Sequence, residues 1–358
     1  MESLSPTGSG SIGTIPEPEP RFQGFQTNGT YRSVRIGLPP GRNWMADVQP
    51  IPPGQDRVTI VVVLTFDRPH LEQLWHDLSL QTYRPLEVLV VDNDSHDGSV
   101  EFVQAHPLPF SVRIIHKERN EGVTPAWNLA LRNTQDPWVL LISPDCVFPP
   151  DLVQRMVDCA HARATRIPSS EAVGGVSPTF LWKGRPAASL DSPPHFHPRQ
   201  RGLFPGVARD DEIFSYHGAC GLLSTLLLKR LGGWDPRVNF GGDETDLGLQ
   251  AHLLGYHFYT LRDVPVEHPY GPRFFAGKSG VQLRMRTDSI WFSLLKHGGI
   301  TLAWRTIAYE AVTYLFWHRM ALSPRPLAAQ VARFLRLVPE LAERRRQLRA
   351  LWKNRVSA

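Results

Sequence analysis

Hydrophobic residues occur along this chain in short blocks that alternate with stretches of helical periodicity. Four blocks rich in Val, Ile and Leu predict buried parallel strands, at residues 58–65, 86–91, 112–115 and 138–142. Between these blocks apolar residues recur at intervals of three and four, which predicts amphipathic helices. The alternation therefore predicts an α/β fold with a doubly wound, mixed but mostly parallel sheet.

The alternation is interrupted at residues 177–215, a long segment rich in Pro, Arg and His. Long loops often face a substrate, so we expect this segment to be irregular and to close over a ligand; a solvated insertion without a role is the alternative. Regular structure resumes at Tyr216–Leu223. A helix begins at Asp243, and Tyr256–Leu261 alternates like a strand.

Composition divides the chain into three regions. Residues 1–56 are rich in Pro, Gly, Ser and Gln, which predicts an extension that is mobile or loosely packed on the core. Residues 57–270 carry the α/β pattern and form the predicted main domain. Residues 271–358 are helical in pattern and increasingly basic.

The net charge of +5 is unevenly distributed. From Arg319 onward ten Arg or Lys accompany two Glu, a local charge of +8 that leaves about −3 on the rest of the chain. This balance argues against a nucleic-acid partner, because the main domain has no excess of basic residues. The apolar segment Ile300–Trp317 contains Arg305 and Glu310, and a charge near the bilayer centre costs about 2.5–3.5 kcal/mol. We therefore expect no membrane span.

The basic C-terminal region has the pattern of an amphipathic helix. Apolar residues recur beside arginines between Val331 and Trp352, as in helices that lie on anionic membrane surfaces; a helix packed on the main domain is the alternative. The cysteines Cys146, Cys159 and Cys220 lack metal-type spacing, and no apolar leader opens the chain. These features predict a cytoplasmic protein, attached peripherally to the inner face of the membrane if the helix binds lipid.

Asp145 follows the apolar block Trp138–Ile142, after Ser143 and Pro144 end the strand. Ligands of open α/β sheets bind at the carboxyl edge of the strands, so this carboxylate is placed to hold a divalent cation against a diphosphate. An ordinary turn aspartate is the alternative. His268 becomes a candidate metal ligand only if it lies beside Asp145.

Two further polar stretches follow predicted strands. The acidic turn Asp92–Ser95 can accept hydrogen bonds from a base or a ribose, although Asp and Ser also cap helices. Asn120, Glu121 and Gly122 precede a helix that carries Asn128, and glycine there lets the backbone approach a ligand. No Gly-x-Gly-x-x-Gly follows the first strand, which disfavours a dinucleotide-binding fold.

Three carboxylates, those of Asp243, Glu244 and Asp246, lie in the first turn of a predicted helix. Acidic residues favour a helix N-terminus electrostatically, and this effect alone explains their presence. Like-charged neighbours also tend to raise the pKa of one member, which suits a general base. The residues alone leave both interpretations open.

In their order along residues 57–270, these motifs resemble those of the family 2 glycosyltransferases, especially the bacterial rhamnosyltransferase-like branch that builds surface polysaccharides. The similar segments are Leu64-Thr-Phe-Asp-Arg-Pro69, Val90-Val-Asp-Asn-Asp-Ser95, Asn120-Glu-Gly122 with Asn128, Leu141-Ile-Ser-Pro-Asp-Cys-Val147, Gly218-Ala-Cys220 and Gly232-Gly-Trp-Asp235. The resemblance implies that residues 57–270 are a catalytic domain with the GT-A nucleotide-sugar-binding fold, followed by a helical C-terminal extension.

The resemblance also implies roles for individual residues. Contacts to the nucleotide sugar are implied for Thr65, Asp67, Arg68, Asp92, Asp94, Asn120, Gly122, Asn128 and Asp145. The other implied roles are a Mg²⁺ or Mn²⁺ site at Asp145 and His268, acceptor contacts at Trp234 and Asp246, and a catalytic base at Glu244 or Asp243.

Two positions depart from the family pattern. Ser143 stands where the family has an acidic or amide residue, which leaves one carboxylate in the metal motif. The usual Glu-Asp order is reversed in Asp243-Glu244, so Glu244 occupies the place of the family's catalytic Asp. The identity of the base is therefore undecided between these two residues.

The function implied by the resemblance is that of an inverting glycosyltransferase. It would move a sugar from a nucleoside-diphosphate sugar to a hydroxyl of a glycan or lipid-linked acceptor, in surface polysaccharide or glycoconjugate synthesis. Two alternatives stay open. A sugar-phosphate nucleotidyltransferase would need a Gly-rich, basic phosphate loop, which Thr65–Pro69 does not supply. A non-catalytic nucleotide-sugar or glycan-binding module is suggested by Ser143 and the reversed acid pair.

Overall fold

A computed structural model describes most of the predicted main domain. The described residues are 31–36, 56–168, 171–182, 184–186, 211–239, 242–268, and the single positions 296, 336, 339, 342, 343 and 346. Most of the basic C-terminal region, including Ile300–Trp317, and most of the N-terminal extension lie outside this part of the chain. The predictions made for them therefore stay predictions.

The described strands form one mixed sheet. The strands are β1 (Tyr31–Ile36), β2 (Val58–Leu64), β3 (Leu86–Asp92), β4 (Ser111–Lys117), β5 (Trp138–Ile142), β6 (Ala172–Trp182), β7 (Arg185–Pro186), β8 (Glu212–Ile213), β9 (Cys220–Ser224) and β10 (Tyr256–Glu267). Their order across the sheet is β1-β4-β3-β2-β5-β9-β6-β10-β8, with β7 paired to β6. The longest ladders, such as β2 with β3 and β6 with β10, are parallel, and β9 runs antiparallel to both of its neighbours.

Helices cover both faces of this sheet, as predicted for a doubly wound fold. A short 3₁₀ turn, Arg68–His70, leads into the first helix. The α-helices are α1 (Leu71–Ser79), α2 (Ser99–Ala105), α3 (Val123–Arg132), α4 (Leu152–Ala164), α5 (Thr225–Leu231) and α6 (Asp243–Leu253). One apolar core joins the sheet to α1, α2 and α4, and the other joins it to α3, α5 and α6.

Strand β2 shows why the sheet is buried on both sides. Ile60, Val62 and Leu64 belong to the first core, whereas Val61 belongs to the second. Successive side chains of a strand point to opposite faces, so a strand covered on both faces must be apolar at every position. The continuous run of β-branched residues in the sequence reflects this requirement.

Two outer strands lie in segments for which the sequence predicted little regular structure. Within the N-terminal extension, predicted to be mobile or loosely packed on the core, β1 pairs antiparallel with β4 from Tyr31↔Lys117 to Ile36↔Val112. The segment 177–215 is not irregular throughout, since β6 runs to Trp182 and β8 lies at Glu212–Ile213. Strand β6 is difficult to recognise in the sequence because it contains Gly174, Gly175 and Pro178. Glycine and proline are uncommon in the interior of strands.

Gly175 has a structural reason to be glycine. A Cβ atom built on it would lie 2.5 Å from the carbonyl oxygen of Leu222 on β9, closer than real Cβ contacts permit. The backbones of β6 and β9 therefore approach each other where a side chain would not fit.

No helix within the described residues is long and apolar enough to cross a bilayer.

Candidate active site

Asp145 lies immediately beyond the carboxyl end of β5, where the sequence placed it. Ser143 donates its hydroxyl hydrogen to Oδ1 of Asp145 at 2.6 Å, and Nε2 of His268 lies 3.4 Å from the same oxygen. Burial raises the pKa of Asp145, but the hydrogen bond and charge of His268 and the hydrogen bond of Ser143 outweigh it and lower the pKa to about 2. The carboxylate is therefore ionised at neutral pH.

The end of β10 brings His268 to Asp145. Val147 and Glu267 form a two-way backbone bridge, with both N–H···O distances at 2.9 Å. The backbone N–H of His268 donates to the carbonyl of Leu181 at 3.0 Å. These bonds fix the imidazole beside a loop more than a hundred residues earlier in the chain, and the predicted pairing of the two residues is present.

A third potential donor, the thiol of Cys146, lies in the same cluster. Donor atoms of Asp145, Cys146 and His268 all lie within 4.8 Å of one another. Burial raises the pKa of Cys146 well above its ordinary value, and its sulfur donates to the carbonyl oxygen of Ala219 at 3.4 Å. A thiol that stays protonated is a poor metal ligand, so Asp145 and His268 are the groups suited to a divalent cation.

The acid pair lies at the start of α6. Gly242 has φ of +91° and gives the tight turn that places Asp243 and Glu244 in the first helical turn. The carboxylate of Asp243 is buried, and Tyr216 donates its hydroxyl hydrogen to it at 3.5 Å. Glu244 is more accessible; burial raises its pKa, and Gly218 donates its N–H to Oε1 at 3.4 Å.

Residues Ser215–Ala219 connect the acid pair to the pair formed by Asp145 and His268, and we refer to them as the connecting segment. At one end Ser215 donates its hydroxyl hydrogen to the backbone carbonyl of Glu244. At the other end the carbonyl of Ala219 accepts the N–H of Ser143 at 2.7 Å. The segment therefore positions both groups of functional side chains from one short stretch of backbone.

His217, within the connecting segment, is a site residue that the sequence did not single out. Its ring stacks on Phe180 with centroids 3.8 Å apart and lies 6.0 Å from the ring of His268. Burial, assisted by the neighbouring His268, lowers the pKa of His217 to about 3. Its imidazole is therefore neutral at physiological pH. The ring packs against Phe180, beside the pair formed by Asp145 and His268.

Gly218, in the motif Gly218-Ala-Cys220, lies against two side chains of the site. A Cβ atom at this position would lie 3.0 Å from Oε1 of Glu244 and 3.3 Å from the ring of Trp127. The absent side chain leaves the room that the carboxylate of Glu244 occupies.

The loop after β2 brings Asp67 close to Asp145. Oδ2 of Asp67 accepts the N–H of Thr65 at 2.7 Å. Burial raises the pKa of Asp67, and the nearby negative charge of Asp145 adds to this effect. Arg68 turns elsewhere: its guanidinium lies over the ring of Phe102 at 4.4 Å and pairs with Glu72 at 3.3 Å.

The acidic turn after β3 is held by its own hydrogen bonds. Asp92 accepts from the N–H of Ser95 at 2.9 Å and from Nδ1 of His116 at 3.0 Å. Burial raises the pKa of Asp92, but the bonds from His116 and Ser95 prevail and lower it. Asp94 has φ of +65°, a left-handed conformation, and its partly exposed carboxylate lies 3.0 Å from Nε2 of His96.

Asn93, between those two acids, is the organising residue that the sequence analysis missed. Its side-chain amide donates to Oδ1 of Asn120 at 2.8 Å and to the carbonyl of Gly122 at 3.2 Å. Its side-chain oxygen accepts from the ammonium of Lys117 at 3.0 Å. Asn93 therefore joins the acidic turn to the Asn120–Gly122 loop, and its place inside the Asp92–Ser95 motif was the available signal.

Gly122 lies where the chain enters α3. A Cβ atom there would lie 1.9 Å from Nδ2 of Asn239, and φ is +93°, so the site requires glycine. Asn239 accepts the N–H of Thr124 at 3.1 Å and donates to the carbonyl of Glu121 at 2.7 Å. The N-terminus of α3 is thus capped by a residue from the loop before α6.

Three residues assigned to ligands by the resemblance direct their polar atoms to protein partners. Asn128 donates to the carbonyl of Trp234 at 2.7 Å and accepts its N–H at 2.8 Å. The buried indole of Trp234 donates to the hydroxyl of Tyr216 at 2.6 Å. Asp246 is buried and accepts from the ammonium of Lys296 at 2.8 Å. Their predicted contacts with donor or acceptor stay predictions, whereas these internal contacts tie α3 and α6 to the connecting loops.

The comparisons with known proteins agree with this geometry. Residues 60–232 match the family described as Glycosyl transferase family 2. The chain is 28% identical over 246 residues to the N-acetylglucosaminyl-diphospho-decaprenol L-rhamnosyltransferase of Mycobacterium tuberculosis, a match that covers 60% of this chain and 76% of the relative. It is 25% identical over 199 residues to the dolichol-phosphate mannosyltransferase of Saccharomyces cerevisiae, covering 51% and 73% of the two chains.

The fold is also similar to that of a solved structure. S. aureus TarS, residues 1–349 in complex with UDP, aligns with a TM-score of 0.52 at 14% identity, covering 84% of this chain and 88% of TarS. At this identity the likeness shows the fold alone. The family match, the motifs in the site and the sheet topology together assign residues 60–232 to glycosyl transferase family 2, with the GT-A fold.

Proposed function

We propose that this protein transfers a sugar from a nucleoside-diphosphate sugar to a hydroxyl group of a glycan or lipid-linked acceptor, with inversion at the anomeric carbon. The observation that carries the proposal is the connecting segment, which holds the Asp145–His268 pair at one end and Glu244 at the other. The Asp145–His268 pair is suited to binding a cation that contacts the diphosphate, and Glu244 is suited to removing a proton from the acceptor. Together they would assist the leaving group and the nucleophile of a displacement reaction.

The donor would bind along the carboxyl edge of β2, β3 and β5. Asp94 offers a partly exposed carboxylate beside the turn that Asn93 organises, and Thr65 and Asp67 lie on the neighbouring loop. Because Asp92 is already bonded to Ser95 and His116, we assign it to shaping this turn as much as to touching the ligand.

A divalent cation, Mg²⁺ or Mn²⁺, fits the donor set of Asp145 and His268. Asp145 is ionised, and Ser143, which replaces a second acidic residue, donates to it rather than competing with it for the metal. Two protein ligands are few, but Mg²⁺ sites of this type complete their coordination with waters and substrate phosphates. When bound, such a cation would supply Lewis-acid stabilisation to the departing diphosphate.

Glu244 is our assignment for the general base. Burial raises its pKa, and it is more accessible than Asp243, which is buried beside the hydroxyl of Tyr216. The N–H of Gly218 steadies one carboxylate oxygen, and the carboxylate takes the acceptor's proton as the hydroxyl attacks. The bond to the nucleoside diphosphate breaks as the new glycosidic bond forms, without a covalent enzyme intermediate.

The proposed class of acceptor is based on similarity to a known protein. The relative from M. tuberculosis carries a decaprenol-linked substrate in its name, which supports a lipid-linked acceptor here. The basic C-terminal region, most of which lies outside the described residues, would bring the enzyme to an anionic membrane surface where such an acceptor resides.

The proposal is tested by measuring nucleoside diphosphate release from a panel of nucleotide sugars, with and without Mn²⁺ and an acceptor. Glu244→Gln should lower the rate of transfer by roughly two orders of magnitude while leaving donor affinity nearly unchanged. Glu101→Gln, an exposed change on α2, is the matched control. If Asp243→Asn has the large effect and Glu244→Gln does not, the base is Asp243; a wild-type protein that binds donors but never releases diphosphate is a binding module.

A further inference from the structure

A second group of potential metal ligands lies away from the active site. Glu212 on β8, His252 in the last turn of α6 and His257 near the start of β10 each offer a donor atom within 4.8 Å of the other two. His268 follows the opposite end of the 12-residue strand β10. At about 3.3 Å per residue, the two sites are on the order of 30 Å apart.

We propose that Glu212, His252 and His257 form a zinc-binding site. Two imidazoles and one carboxylate, with water as a fourth ligand, are a ligand set that zinc commonly takes. Nδ1 of His257 and Oε1 of Glu212 are 2.6 Å apart. Ligands at about 2.0–2.2 Å from a tetrahedral zinc are roughly 3.3 Å from one another, so small side-chain movements would admit the ion.

A contact of His252 with its surroundings supports this assignment independently. Nε2 of His252 lies 2.7 Å from the carbonyl oxygen of Phe214. Metal-binding histidines almost always donate their second ring N–H to a carboxylate or a backbone carbonyl. In His252 this tautomer places the lone pair on Nδ1.

Charge and burial favour a cation at the same place. Glu212 is 4% exposed, and the side chains of His257 and Glu171 are 20% and 23% exposed. The carboxylates of Glu212 and Glu171 both lie within 3.2 Å of the ring of His257, and two acidic groups in a partly buried region favour a cation. The C-terminal end of α6, where His252 lies, adds a partial negative charge.

The proposed site would join three elements. The ion would fasten the C-terminal end of α6 to β8 and β10, and the other end of α6 carries Asp243 and Glu244. The zinc site is thus a structural clamp on the helix that bears the acid pair. It does not depend on the proposed transfer reaction.

Zinc binding should be measured on the full-length, tag-free chain in an Asp145→Asn background, which removes the ionised ligand of the other candidate site. We expect about one zinc ion per chain after dialysis against micromolar zinc, together with a rise in melting temperature. Adding His257→Gln should lower zinc affinity at least tenfold, as the loss of a ligand requires. His161→Gln, an exposed histidine on α4, is the control and should leave zinc binding unchanged.

A second variant guards against loss of binding through misfolding. Glu212→Gln keeps the shape of the side chain and its hydrogen-bonding oxygen, and it should lower zinc affinity while circular dichroism of the zinc-free protein stays unchanged. Absence of stoichiometric zinc in the Asp145→Asn protein would overturn the proposal. Zinc affinity that is insensitive to both His257→Gln and Glu212→Gln would overturn it equally.

Discussion

Replacing Asp145 with asparagine removes a charge that the structure stabilises strongly. Asn keeps the shape and a carbonyl acceptor for Ser143, so the change isolates the contribution of the ionised carboxylate. The pKa of Asp145 is lowered from an ordinary value of 3.8 to about 2, and its side chain is 23% exposed. At about 1.4 kcal/mol per pKa unit, the carboxylate stabilises the metal-free fold by about 2 kcal/mol.

The sign of the pH dependence follows from the direction of this shift. Because the pKa is lower in the folded state, the stabilisation is complete above the unfolded pKa near 4 and is lost as the pH falls through about 2. The free energy of unfolding of Asp145→Asn should therefore lie about 2 kcal/mol below that of the natural chain at pH 6. At pH 3 the difference should narrow to about 1 kcal/mol.

Urea unfolding in the presence of EDTA, at pH 6, 4 and 3, measures this difference. Comparing the two proteins at each pH cancels the titration of the other carboxylates. Asp158→Asn, an exposed change on α4, is the matched control and should track the natural chain throughout. A stability difference that is the same at pH 6 and pH 3, or no difference at pH 6, would refute the assigned role of His268 and Ser143 in holding this charge.

Three further outcomes are expected. Gly233→Ala should destabilise the fold by about 2–4 kcal/mol in chemical denaturation, because φ is +84° and the new Cβ would lie 2.2 Å from Oδ1 of Asn128; a loss below about 1 kcal/mol would contradict the packing described. Lys296→Met should cost about 3–5 kcal/mol by the same assay, since the buried carboxylates of Asp246 and Asp235 lose the ammonium that they share; an equally stable variant would show that these ion pairs are not formed. Truncation after Leu322 should abolish salt-sensitive binding to anionic vesicles in a flotation assay, and unchanged binding by the truncated chain would exclude the basic region as the contact.

The fold was predicted correctly where a residue pattern is typical of only one kind of secondary structure. The helix predicted after Gly122, carrying Asn128, is α3, and the run beginning at Val58, predicted as a buried strand, is β2. Strand β6 was missed because Gly175 and Pro178 usually mark loops. Gly175 is present because β9 approaches too closely for a side chain, and that contact involves residues far apart in the sequence.

The sequence indicated which residues lie in the candidate site better than it indicated how their side chains are oriented. Asp145 and His268 meet as expected, because each follows a strand of one sheet at or near the same edge. Motif matching treats Asp246 as a ligand residue like its neighbours, but helix geometry turns it inward, toward Lys296 fifty positions away. This ion pair joins residues far apart in the sequence, so no local pattern around Asp246 indicates it.

The connecting segment has a consequence for how substitutions combine. Its backbone carbonyl at Ala219 is bonded to the strand end that carries the metal motif, while Ser215 and Gly218 are bonded to Glu244. A displacement of this backbone would shift both anchor points together, so the affinity for donor and the rate constant for transfer cannot be adjusted independently here. We therefore expect the free-energy effects of substitutions at opposite ends of the segment to be non-additive, so that a variant selected for a new donor also has an altered environment around Glu244.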